Sequence, residues 1–289
     1  MRPMILLACL LAAPCSAQAL EIHSTPREGI AQKTLKSEVV LIGKVTGFEK
    51  ETFEAKADLL APGKTAHTVA VVEVESVIRG LKNTTHIRVG FVMMAEKVQT
   101  EEKTVEDQFL VGVGNLAENG RYLLFLQKHP DGAFYTYRNL ADPVAITEAD
   151  GQTAAIDEAR IAGQALADPV KALKADKAED RALAALVLIV HYRQASGKGV
   201  TERIPIDALE NKLLLDVIAE GDWTAPVTGD LTLFNAFHGL GLGKKEGWEV
   251  RLAKPGANER AIHQKAFQDW LAGPGAKFRF RKYVLQAKR

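Results

Sequence analysis

Near Ile146 the hydrophobic period of the chain changes from about two residues to about 3.6, and this change limits the fold more than any other feature. Before it, apolar residues come in short β-branched runs separated by turn residues. After it, they recur at helical spacing. A single layered sheet or a single bundle cannot satisfy both patterns, so the chain reads as α+β: a small five-stranded barrel over 37–145, then a helical region over 146–289 with a short terminal strand. A length of 289 residues is enough for two cores.

The strand readings are specific. "SEVVLIGKVTGF" (37–48) mixes β-branched residues on both parities, as a strand buried on both sides at one end requires. "HTVAVVEVESVI" (67–78) places Ala70, Val72, Val74 and Ile78 on one side, and Gly80 ends it. "THIRVGFV" (85–92), "RYLLFLQK" (121–128) and "AFYTY" (133–137) supply three more. The last two are joined by His129-Pro130-Asp131-Gly132, where Pro presets φ and Gly accepts a positive one. Five strands with long connections suit a small Greek-key barrel. Residues 20–36 read as a lead-in, 49–66 as a charged loop, and 93–120 as a long polar loop of the kind that often binds or covers.

In the second half, helices are expected over 154–166, after the Asp168-Pro169 cap, over 180–194, after the Asp207 cap, and after Asn258. The run Ala182–Val190 is apolar without interruption and predicts a central buried helix, too short to span lipid. Leu209, Leu213, Val217 and Ile218 are expected to share the buried face of their helix, and Ile262, Phe267, Trp270 and Leu271 that of theirs. The tail "KFRFRKYVL" alternates and predicts a strand.

The first residues predict the compartment. Met1-Arg2, the apolar run Ile5–Ala13 and the small residues Ser16–Ala19 form a secretory signal, with cleavage expected after Ala19. Both cysteines, Cys9 and Cys15, fall inside it, so the mature chain holds no disulfide and no thiol nucleophile. An exported chain without disulfides points to a bacterial envelope: periplasm, cell envelope or extracellular space. Of 37 basic residues, Arg2 leaves with the signal, so 36 remain against 36 acidic ones. Neutrality argues against broad capture of nucleic acid or anionic lipid.

Chemical motifs are sparse. The seven histidines, His23, His67, His86, His129, His191, His238 and His263, contain no H-E-x-x-H and no close pair. Cleavage after Leu20 would make His23 the third residue, a geometry suited to Cu(II) or Ni(II). Cleavage after Ala19 removes that geometry. "HGLGLGKK" (238–245) lacks the spacing and the Ser or Thr of a P-loop and reads as a helix end and turn; "GVGN" (112–115) is weaker still. There is no G-x-S-x-G, and the acid pairs Glu101-Glu102 and Glu106-Asp107 read as solvated. No catalytic residue, cofactor or metal site is expected. Trp223 and Trp248, flanked by Gly- and Pro-containing loops, are the partner-contact candidates, whereas Trp270 reads as core.

The segments "SEVVLIGKVTGF", "VAVVEVESVIRG", "THIRVGF" and "GRYLLFL", followed by "AEDRALAALVLIVHYR", "ENKLLLDVIAEGDW" and "FRFRKYV", resemble bacterial secreted proteins of unknown function. Their barrel is similar to the netrin-like OB-fold of the tissue inhibitors of metalloproteinases (a TIMP-like domain). The resemblance covers about Ser37 to Val284. It implies a barrel followed by a helical half. Those inhibitors chelate a target's zinc through an N-terminal Cys, which this mature chain lacks, so no functional residue carries over. The reading is an exported, non-catalytic module that binds a protein or peptide through barrel loops or an inter-domain groove. It has no nucleic-acid partner and no stable membrane span. The alternatives are a metal-dependent enzyme using His67, His86 or His129, and a structural envelope component.

Overall fold

A computed structural model describes residues 28–56, 64–91, 116–137, 143–147, 150–194, 201–229, 231–249 and 258–285, with the side chains of 150–152 excepted. The expected signal over 1–19, His23, the "GVGN" segment and the acid pairs at 101–107 lie outside these residues.

Among the described residues, seven strands build the first half: β1 (Val39–Phe48), β2 (Phe53–Lys56), β3 (Lys64–Arg79), β4 (His86–Phe91), β5 (Arg121–Lys128), β6 (Tyr135–Tyr137) and β7 (Val144–Ala145). The order β1-β3-β4-β6-β5 closes back on β1, giving a five-stranded barrel. Every pairing in it is antiparallel except β4 with β6. This is the expected OB-like architecture. β2 and β7 lie outside the closed ring. β2 pairs with the start of β3, within the stretch read as a charged loop. The alternation Phe53-Glu54-Ala55-Lys56 is what a half-buried strand needs, and Phe53 and Ala55 pack on Val69 and Phe134.

β1 is buried on both faces, as its mixed pattern predicts. Val39, Leu41 and Val45 point into the barrel with Val72, Val89, Leu124 and Leu126. Val40 and Ile42 point outward with Leu123 and Phe125 of β5. Leaving such side chains in water would cost about 1.5–3 kcal/mol each. The outer wall is instead covered by α2 (Asp150–Ala167), whose Ala155, Ile156 and Ala159 lie against it. Small residues on α2 permit the close approach: a Cβ added to Gly163 would come 2.8 Å from the Ile78 side chain.

Five more helices follow: α3 (Pro169–Leu173), α4 (Ala178–Arg193), α5 (Ala208–Glu220), α6 (Leu233–Leu240) and α7 (Glu259–Ala272). Asp168, Asp207 and Asn258 cap α3, α5 and α7 by accepting backbone N–H bonds, as expected. Ala182 to Ile189 of α4 are buried in succession, and this helix is the centre of the larger core. The helix α1 (Ile30–Lys36) forms within the segment read as a lead-in. Its Ala31 joins the helical core, and Arg79 at the end of β3 donates to the carbonyls of Thr34 and Leu35, both at 2.8 Å. That bond satisfies acceptors the last helical turn would otherwise leave open.

Two ribbons complete the second half: β8 (Thr201–Pro205) with β11 (Arg281–Leu285), and β9 (Pro226–Thr228) with β10 (Leu231–Thr232). The terminal strand is thus present as expected, paired with β8. The buried face of α5 differs from the expected one. Leu209 is exposed and Leu213 is only half-buried, whereas Asn211, Leu214, Leu215 and Ile218 face inward. Asn211 is drawn in because its amide mimics a strand edge: Nδ2 donates to the Phe278 carbonyl at 2.9 Å, and Oδ1 accepts from the Phe280 N–H at 2.8 Å. Glu210 is buried beside it and accepts the Tyr192 hydroxyl at 2.5 Å.

Gly80 turns the chain out of β3 at φ +90°, and a Cβ there would overlap the Glu38 carbonyl. Gly80→Ala is expected to destabilise the protein by at least about 1–3 kcal/mol, the cost of holding such a backbone conformation without glycine. Urea unfolding read by tryptophan fluorescence checks this; an unchanged midpoint would contradict it.

Candidate functional site

The helical half carries an open cleft of about 700 Å³. Its floor is apolar: Leu173 from α3, Ala178 and Ala182 from α4, Leu213 and Val217 from α5, and Leu233 from α6. The five-residue α3 ends at Leu173, and the turn after it leads into α4, so the ends of α3 and α4 and the C-terminal half of α5 line the cleft together. Arg181 fixes that turn by donating to the carbonyls of Ala175 and Asp176, both at 2.8 Å. Its guanidinium is therefore committed to structure.

The rim is acidic. Glu179, Asp216, Glu220 and Asp222 line it, against Lys174 and Arg181. Asp222 accepts from the Thr224 hydroxyl at 2.6 Å and from the N–H groups of Thr224 at 2.7 Å and Ala225 at 3.2 Å. These bonds, the Thr224 hydroxyl first, hold its carboxyl below the ordinary aspartate range. Asp216 meets Lys212 one helical turn away at 2.6 Å, an exposed pair of small energetic weight. Glu179 and Glu220 make no ion pair among the described residues, although the charge of Glu220 is felt at Lys212.

Trp223 and Trp248, the expected partner contacts, are not at this or any other surface. Trp223 is 1% exposed; its indole N–H donates to the Ile218 carbonyl at 2.6 Å, and its ring lies 4.7 Å from that of Phe237. Trp248 is 6% exposed and packs edge-on to Phe237 and Trp270. The physical reason for Trp223 is its place two residues past the helix stop Gly221, where an apolar side chain folds back on the last turn. It braces from behind the loop that forms one wall of the cleft. Gln264 ties down the same wall by donating to the Ala219 and Gly221 carbonyls. Leu213 and Val217 read from sequence as core, and the loop residues carry no individual signal, so nothing in the sequence marks a cleft.

The histidines divide. His67 and His129 are each 1% exposed and their rings lie 5.5 Å apart, with Phe134 stacked on His129 at 4.6 Å. His67 Nδ1 donates to the Thr65 carbonyl at 2.9 Å, and its Nε2 has no hydrogen-bond partner. His129 Nδ1 accepts the Asp131 N–H at 3.2 Å. His86 is exposed at the start of β4, beside Thr85 rather than this pair. Among the described residues no group of three or more His, Cys, Asp or Glu is placed to hold a metal ion. "HGLGLGKK" is the expected helix end: α6 stops at Leu240, and Gly241 takes the left-handed conformation at φ 63°. No protein-family model and no curated protein matches this sequence.

His191 and His238 both hold their protons less readily than ordinary histidines. Burial is the main cause for each, with Arg79 and Lys282 adding repulsion at His191 and His263 at His238. A lowered native value means the unfolded state takes up protons first as pH falls. Their stabilising contribution is therefore complete above about pH 6.5 and declines on acidification below it. The urea midpoint is expected to fall between about pH 7.5 and 5.5, and to fall less in the His191→Gln/His238→Gln variant.

Proposed function

We propose that the protein is an exported, non-catalytic binding protein of the bacterial envelope, and that its helical cleft holds a short segment of another protein. The observation that carries this is the pairing of an apolar floor with an acidic rim in a cleft of about 700 Å³. A volume of that size accommodates one or two large side chains. The complementary segment presents an aliphatic or aromatic residue to Val217 and Leu213, flanked by Lys or Arg facing Glu179 and Glu220. The cleft lies within the helical half rather than between the halves, so this differs from the inter-domain groove read from sequence. Export rests on the leader pattern of residues 1–19. Kinship with netrin-like, TIMP-like barrels is part of the same proposal. It is supported by the closed five-stranded order with one parallel pair.

The adjacent rings of His67 and His129 favour a second reading, a metal-dependent reaction near the β5–β6 turn. Protein purified without an affinity tag distinguishes the two by its metal content. One equivalent of bound transition metal, lost in His67→Ala, would displace the binding-module reading.

A library of short peptides screened against the purified protein is expected to return sequences with an apolar residue between basic ones. Glu179→Lys/Glu220→Lys is expected to weaken the selected peptide at least about tenfold, each exposed charge pair contributing up to about 1 kcal/mol. Val217→Asp is expected to abolish binding. Peptides of random composition, or unaltered affinity in both variants, would refute the assignment.

A further inference from the structure

A net charge of only +1 conceals a separation of charge over the second half. The cleft collects carboxylates, while the ribbon β8–β11 and the end of α4 collect cations. Register places Arg281, Tyr283 and Leu285 of β11 on one face of the ribbon with Arg203 of β8, which pairs with Tyr283. Arg203, Arg281 and Leu285 are exposed, Leu285 at 45%. Arg281 Nε and Nη2 donate to the Arg203 carbonyl at 3.1 and 2.7 Å, which holds its guanidinium on this face. The opposite face turns toward α4, where the Lys282 ammonium sits 5.5 Å over the Tyr192 ring. Arg193 adds a further guanidinium, stacked 5.2 Å over Phe280 and donating to the Gly239 carbonyl at 2.6 Å.

None of Arg193, Arg203, Arg281 and Lys282 has an ion-pair partner among the described residues. Burial is the main reason that Arg193 holds its proton less tightly than an ordinary arginine, with the charge of Arg203 adding repulsion. Of the nearby acids, Glu202 lies on the other face of the ribbon, the one that carries Lys282, and so leaves Arg203 and Arg281 without a carboxylate on theirs. Glu210 is buried against Tyr192, and Asp207 is occupied in capping α5. Cations that repel one another with no compensating carboxylate cost stability and persist where an external anion completes them. Guanidinium forks suit phosphate oxygens.

The rest of the face selects among phosphate carriers. A nucleic-acid surface needs an aromatic ring free to stack on bases. Here the Arg203 guanidinium already lies 5.3 Å over the Tyr283 ring. What the face offers beside its cations is an exposed aliphatic side chain and a half-buried tyrosine, the pairing found at membrane interfaces.

We propose that the outward face of β8–β11 docks the protein onto an anionic phospholipid surface, Arg203 and Arg281 meeting headgroup phosphates and Leu285 entering the interface. This goes beyond the cleft reading and is independent of it. It is peripheral docking: no helix among the described residues is long and apolar enough to cross a membrane.

The test uses the chain from Leu20, because the apolar run at 5–13 would itself bind lipid. Sedimentation with phosphatidylglycerol–phosphatidylcholine vesicles is compared with phosphatidylcholine alone, at low and high salt. Binding is expected only to the anionic vesicles and is expected to weaken with salt. Arg203→Ala and Arg281→Ala should each cost about fivefold in affinity, the effect of one basic side chain near an anionic surface. Leu285→Ser should weaken binding further. Glu179→Lys/Glu220→Lys should not weaken it, which keeps failure here distinct from failure of the cleft. Circular dichroism confirms that each variant is folded. Equal binding to neutral vesicles, no binding to either, wild-type affinity in both arginine variants, or soluble heparin bound as tightly as the anionic vesicles would each overturn the proposal.

Discussion

The outer wall of the barrel is apolar where β1 and β5 run side by side, and the rest of the molecule is arranged around that fact. A closed barrel normally keeps its apolar side chains inside and shows water a polar exterior. Here Val40, Ile42, Leu123 and Phe125 face out, so the barrel needs a cover. α2 provides it with small and β-branched residues, and α2 also packs on α4. The helical half is therefore joined to the barrel through a core of its own, a third cluster between the two larger ones. α1 closes the junction from the other side: Ala31 enters the helical core, and the carbonyls of its last turn receive Arg79 from the barrel.

The same economy of polar groups runs through the second half. Asn211 substitutes for a strand edge toward Phe278 and Phe280, Tyr192 donates its hydroxyl to the buried Glu210, and Trp223 returns its indole N–H to the helix it follows. Each buried polar group named here is satisfied by a neighbour within a few ångströms, which keeps it from costing stability. These bonds hold the wall of the acidic cleft and the base of the cationic ribbon. Both surfaces are thus presented on well-braced backbone.

Much of the architecture was legible because it rests on local patterns. β3 alternates, α4 is continuously apolar, and Asp168, Asp207 and Asn258 announce their helices. Even the double burial of β1 showed as a strand apolar on both parities. What escaped was set by partners distant in sequence. α1 is short and weakly patterned, and it is a helix because Arg79, α2 and α4 receive it. The buried face of α5 is rotated because Asn211 answers a backbone some seventy residues later. Trp223 and Trp248 looked exposed because their loops are rich in Gly and Pro, yet those loops fold back onto Phe237. Net charge is a sum, and a sum hides the separation of Glu179 and Glu220 from Arg203 and Arg281.

The junction also orders events in time. A chain emerging from its N-terminus can close the ring once β6 has appeared, because every strand the ring needs has then been made. α1, although first in line, has its lasting neighbours on α2 and α4 and must wait for them. The ribbon waits longer still, since β8 has no strand to pair with until β11 arrives. An early-setting drum, a later helical stack clasped by α1, and a ribbon that pairs last are the order that this connectivity sets.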